Sequence, residues 1–168
     1  MRNIIGTRVY RSFAPILCTV VLLASTTSLA HADFSRKVTA TFKNQIVLST
    51  AELPAGKTDK ETIDSIKKSR LAQVPGHDAG EGKAWTFHYT AFLSKGAAPT
   101  LVVKFYTADK AASYVADVSL SGVDPKSTVL SGDLTISEDE GLTRGKPYIM
   151  KLVLANDTVL AQTAVTMQ

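Results

Sequence analysis

The sequence predicts an all-β protein: an antiparallel β-sandwich of about seven strands, with one short helix in a long insert between the first two. Two observations lead there. Apolar and polar residues alternate with a period of two over a series of separate stretches. Those stretches are short, and turn-forming clusters of Gly, Pro, Asn and Asp punctuate them without intervening helical patterns after residue 82.

Residues 1–32 read as a cleaved secretory signal peptide. Arg2, Arg8 and Arg11 form a positive start, and residues 13–24 form an apolar run. That run is too short for a spanning helix, which needs about 20 apolar residues. Ala30-His31-Ala32 then supplies an A-x-A cleavage signal, which makes Asp33 the mature terminus. Residues 33–168 remain as a single domain, long enough to hold itself together by its core. No other stretch is apolar enough to span a membrane, so the expected location is the periplasm or the outside of the cell.

The charge of +4 comes from 19 basic and 15 acidic residues. Three of the basic residues lie in the leader, which has no acid, so the mature balance is 16 against 15. That near-neutrality removes nucleic acid as a partner. The one cysteine, Cys18, is also in the leader. The mature domain therefore has no disulfide, thiolate nucleophile or cysteine metal ligand.

Along the mature chain, Lys37–Leu48 alternates Val38, Ala40, Phe42, Ile46 and Leu48 with polar residues and predicts one long strand, with a bulge possible at Asn44. The insert at 50–82 follows. Thr58-x-x-Glu61 has the form of a capping box, Ile63 and Ile66 fall at i, i+3, and Lys67, Lys68 and Arg70 suit a helix C-terminus. A short helix over about 60–71 results. Residues 74–82 are rich in Gly and Pro and predict loop. A connection this long is where function is first sought.

The second strand, Lys83–Leu93, puts Trp85, Phe87, Tyr89, Ala91 and Leu93 on the core face and Thr86, His88, Thr90 and Phe92 on the other. Leu101, Val103 and Phe105 point inward from 100–107, and Tyr114, Ala116, Val118 and Leu120 from 113–122. Leu130, Leu134 and Ile136 share a face of 128–136. Strands at 147–155 and 158–167 flank Asn156-Asp157, a polar pair suited to a tight hairpin. These spacings give the sandwich an immunoglobulin-like, Greek-key character, although the Cys…Trp…Cys framework of true immunoglobulin domains is missing.

Candidate sites are few. Ser137-Glu138-Asp139-Glu140-Gly141 is the densest acidic turn, and with Asp124 and Asp133 it makes a candidate Ca²⁺ site at one end of the sandwich, since that ion takes six to eight oxygens. The EF-hand pattern is absent. His77, Asp78 and Glu81 are weaker metal candidates, because one imidazole and two carboxylates match no ligand-spacing signature. His88 could join them only if the loop folds back; otherwise it is an exposed or edge residue. Trp85 belongs to the core. There is no G-x-S-x-G elbow, H-E-x-x-H or phosphate-cradling glycine loop.

The reading that follows is an exported, non-enzymatic binding module whose partner is another envelope or extracellular protein. It needs no cofactor and docks through the 50–82 insert, strand-end loops or a sheet edge. Two alternatives stand beside it. One is a Ca²⁺-dependent module for a glycan or lipid headgroup. The other is a small secreted hydrolase that uses His77 or His88 with Asp78 or Glu81.

Overall fold

The computed structural model describes residues 34–80 and 82–168. The leader with its cleavage site, and Glu81, lie outside the described residues. Among those described, no helix is long and apolar enough to cross a membrane.

The protein is all-β in substance. Nine strands form one curled, mixed sheet, with two α-helices on its outer face. The first element departs from the expected strand. Residues Arg36–Thr41 form helix α1, capped by the Ser35 hydroxyl, which accepts from the Val38 N–H at 3.3 Å. The period of two in this stretch misled, because only Val38 and Phe42 are buried and Ala40 is exposed. Their separation of four is a helical one. Asn44, with φ of 60°, turns the chain out of the helix, and strand β1 occupies only Gln45–Ser49.

Helix α2 spans Asp59–Ser69, within two residues of expectation at each end, and its capping box is complete. The Glu61 N–H donates to the Thr58 hydroxyl and the Thr58 N–H to the Glu61 carboxylate, each at 3.2 Å. Both helices cover the outer face of β1 and its neighbour through Val38, Phe42, Val47, Leu53, Ile66 and Phe92. The Phe42 and Phe92 rings lie 5.3 Å apart.

Two short strands occupy the segment expected to be loop, β2 at Gln73–Val74 and β3 at Gly76–Ala79. Strand β3 pairs with the start of β4, which spans Gly82–Phe92. Pairing partners here come from backbone groups rather than from an apolar pattern, which is why composition alone read as loop. The remaining strands fall close to where the alternation puts them: β5 Thr100–Thr107, β6 Tyr114–Ser121, β7 Val129–Ser137, β8 Pro147–Val153 and β9 Val159–Met167. A 3₁₀ turn, Glu138–Glu140, follows β7. Between β8 and β9 the connection is longer than a two-residue turn. It runs from 154 to 158, closed by Leu154 N–H to Thr158 carbonyl at 3.0 Å, with Asp157 at φ 63°.

The sheet order is β3-β4-β1-β9-β8-β5-β6, with β7 on the other edge of β4 and β2 beside β9. The expectation of a wholly antiparallel sheet is corrected. Strands β1 and β2 both meet β9 in parallel, at Gln45↔Gln162 and at Gln73↔Thr166. The insert adds two strands to the expected seven or so, and α1 gives a second helix.

One core lies within the curl. Trp85, Phe87, Tyr89, Ala91 and Leu93 point into it from β4, as the alternation requires, and meet Leu101, Val103, Phe105, Met150 and Leu152. The Trp85 indole donates to the Gln168 carbonyl at 3.0 Å, so its N–H is satisfied although the ring is wholly buried. Tyr114 is an exception to its strand's pattern. A register shift after Phe105 turns it outward, where it is 55% exposed and donates to Asp117 at 2.7 Å.

Candidate functional site

The acidic side chains at the strand ends each have separate work. Asp124 accepts the Lys126 N–H at 2.9 Å and holds its own turn. Glu140 accepts the Ser137 N–H at 2.7 Å and the Ser137 hydroxyl at 3.1 Å, capping the 3₁₀ turn. Asp133 lies 2.9 Å from the His88 imidazole. Glu138 and Asp139 border a shallow hollow beside Lys83 and Thr135. Among the described residues, no group of three or more His, Cys, Asp or Glu side chains comes together as a metal site.

The insert's polar residues also separate. Asp78 stands opposite Lys83 and pairs with it at 2.5 Å, which holds its carboxyl below the usual carboxylate value. His77, the neighbouring residue, points to the other face, opposite Ala84. That is the face of His88, but Ala84 and His88 are four residues apart on β4, which separates the two imidazoles by about 13 Å of strand.

His88 differs from expectation. It does lie on the outer sheet face, yet it is only 7% exposed. Its backbone neighbours across the sheet are Ser49 on β1 and Asp133 on β7. Its Nδ1 meets Asp133, while Nε2 is buried without a partner among the described residues. The Ser49 hydroxyl donates instead to the Ala51 carbonyl at 2.7 Å. A serine, a histidine and an aspartate thus stand in one row across three strands, without the hydroxyl–imidazole contact that activates a nucleophile.

The most site-like feature is elsewhere. Strand β6 ends one arm of the sheet and β7 ends the other. Among the described residues, β6 pairs only with β5 and β7 only with β4. The curl brings the two free edges to opposite sides of one cavity of about 290 Å³, bordered by 118–121 and 132–135. Gly141, at φ 104°, lies against Val115 at the start of β6; a Cβ there would stand 3.3 Å from the Val115 carbonyl.

Tyr89 lines the cavity from β4. The residue is 2% exposed, and its hydroxyl makes no hydrogen bond to a described residue. Burial, reinforced by the nearby Asp133 charge, pushes the phenol up to about 12. It therefore remains a neutral donor and acceptor at any physiological pH. The walls combine half-buried Val118 and Leu120, buried Leu134, and the hydroxyls of Ser119, Ser121 and Thr135.

Sequence reasoning missed this site because Tyr89 has the parity of a core residue and is one. The available clue was Gly132, a glycine in the middle of a strand, which marks a close approach by another group. Here that group is the Tyr89 ring, 3.4 Å from where a Cβ would sit.

No family model matches the chain, and no curated protein matches it either. Two solved structures of a β-glucosidase from Kluyveromyces marxianus, one in complex with glucose and one Se-Met labelled, are similar over 57% of this chain at 6% and 7% identity. The TM-scores are 0.31 and 0.29, and the similarity spans 14% of each glucosidase chain, so this resemblance carries no argument about fold or activity.

Proposed function

We propose that this chain is an exported, non-enzymatic β-sandwich protein that acts by binding another envelope or extracellular protein along the slot between β6 and β7. The observation that carries the reading is the pair of free strand edges facing one cavity. Unpaired edges are templates for added strands, and proteins usually blunt them. Here both are left open beside a cavity with apolar walls and an unused phenol. An extended partner segment can pair its main chain with one edge and place a side chain in the cavity.

Sandwich stacking is supported by the core. Leu134 and Ile136 of β7 share one cluster with Leu101, Phe105 and Met150, whose strands lie toward the other arm of the sheet. Export is supported by the leader's charge, apolar run and A-x-A site. The non-enzymatic reading draws support from the wide spacing of His77 and His88 and from the Ser49 hydroxyl, which is turned to the Ala51 carbonyl rather than to His88.

Photo-crosslinking in the producing cells tests this. A benzophenone side chain in place of Ser119 is expected to give a discrete adduct, and one in place of Lys60, exposed on α2, none. Filling the cavity by Gly132→Leu should remove the Ser119 adduct while the protein stays folded. Equal adducts from both positions, or none from Ser119, would overturn the reading.

A further inference from the structure

The charge around the slot is lopsided. Residues 111–143, which contain both free-edged strands, carry Asp117, Asp124, Asp133, Glu138, Asp139 and Glu140 against the single base Lys126. The rest of residues 33–168 holds fifteen of the sixteen mature basic residues. Lys110 and Arg144 flank this segment in sequence, and of the bases on neighbouring strands Lys104 pairs with Asp157 at 2.6 Å and Lys83 with Asp78. Asp133 sits at the cavity with a side chain 75% exposed, so its contact with His88 leaves much of the carboxylate open to solvent.

The cavity's chemistry sharpens this. Val118 and Leu120 offer an apolar wall to a hydrocarbon stem, the Tyr89 hydroxyl makes no hydrogen bond to a described residue, and Asp133, on the outer face of β7, is close enough for its charge to act on that hydroxyl. A side chain that matches all three has a long apolar stem and a cationic head rich in donors. Lysine and arginine fit this description, because they bury the stem while directing the head to polar groups.

We infer that the slot takes a lysine or arginine side chain from an extended segment of the partner protein, its stem along Val118 and Leu120 and its head donating to the Tyr89 hydroxyl within the field of the Asp133 carboxylate. This rests on the strand-docking reading above and adds the chemistry of the anchor. The two terminal strands supply the main-chain contacts, and the acidic surround draws the segment in and sets its preference.

Three blocked seven-residue peptides of alternating Thr and Val, with a central Arg, Leu or Glu, separate the possibilities. Each is titrated into ¹⁵N-labelled protein while the backbone amides of 118–121 and 132–135 are followed. The Arg peptide is expected to shift those amides most strongly. Its affinity should fall roughly tenfold in Tyr89→Phe, as expected for losing a hydrogen bond to a charged group, should fall also in Asp133→Asn, which removes the attracting charge, and should weaken in 0.5 M salt as the ~10 Å screening length at 0.1 M contracts. Both substitutions remove a single polar function, so the fold persists and a loss of binding is read directly. If the Leu peptide binds the same amides as tightly as the Arg peptide, or the Glu peptide binds better, the cationic anchor is overturned and strand docking survives. If none of the three shifts those amides, strand docking itself fails.

Discussion

The Tyr89 hydroxyl lies over Gly132 on the neighbouring strand, 3.4 Å from the place where a Cβ would stand. The two residues are direct cross-strand partners in the β4–β7 register. The missing side chain at 132 is what leaves room for the phenol to lie at the wall of the slot. A Cβ at that distance is an ordinary van der Waals contact, so Gly132→Ala should fold with unchanged or slightly raised stability, since glycine in a strand interior is destabilising by roughly 0.5–1 kcal/mol. Gly132→Leu must displace the ring or fill the cavity, and is expected to lose about 1–3 kcal/mol. Paired denaturant melts of the two variants check this; equal losses would show that the Tyr89–Gly132 contact does not set the space.

Alkaline pH should destabilise the protein through Tyr89. Its phenol is raised to about 12 from the ordinary 10.0, because burial and the Asp133 charge both oppose the phenolate. The folded state thus holds the proton more tightly than the unfolded state. The stability linked to this group is fully present below pH 10 and is lost as pH rises from 10 towards 12. Two units correspond to about 3 kcal/mol. Absorbance at 295 nm should show one tyrosine ionising last in the wild type, and that step should be missing in Tyr89→Phe. A Tyr89→Phe variant with the same alkaline loss of stability as the wild type would contradict this assignment.

Gln168 pins the only tryptophan. The Gln168 carbonyl accepts both the Trp85 indole N–H at 3.0 Å and the Gly76 N–H at 2.6 Å, and the Gln168 N–H donates to the Val74 carbonyl at 2.9 Å. Deleting Gln168 orphans the buried indole, which costs about 1–3 kcal/mol. The insert strands β2 and β3 lose an anchor at the same time. The expected result is a lower melting midpoint together with a red-shifted emission from Trp85. Emission unchanged from the wild type would mean that Met167 and its neighbours hold the indole without this carbonyl.

What could be read from the sequence follows from how strongly each pattern was specified. The strands from Gly82 to Met167 were legible because one face of each is buried, so a slip of one residue would expose the whole apolar set. Helix α2 was legible through its Thr58–Glu61 capping box. Helix α1 was not, because Val38, Ala40 and Phe42 satisfy a period of two as well as the helical i, i+4 spacing, and only burial decides between them. The hairpin of β3 with β4 is built from Gly76, His77, Asp78 and Ala79, which carry no apolar alternation. The slot was the least legible feature of all. It depends on where β6 and β7 end up after the sheet curls, and no local pattern encodes the approach of two strands that are not paired.

His88 offers a test that separates a structural histidine from a working one. Its Nδ1 is engaged by Asp133, but Nε2 is buried with no partner among the described residues, and the Thr90 hydroxyl two residues along the same face is in the same condition. An orphaned buried polar atom carries a desolvation penalty of about 1–3 kcal/mol. Replacing the ring by a hydrocarbon of comparable reach removes that penalty on the histidine side. The lost Asp133 contact matters little, because that carboxylate is largely solvated. His88→Leu is therefore expected to be neutral or to raise stability by up to about 1 kcal/mol, and to leave Arg-peptide binding at the slot unchanged. A large loss of stability would mean that Nε2 has a partner in solution, such as a buried water. A loss of peptide binding with stability intact would instead make His88 a positioning residue for Asp133, and the Asp133→Asn variant would then show the same defect without adding to it.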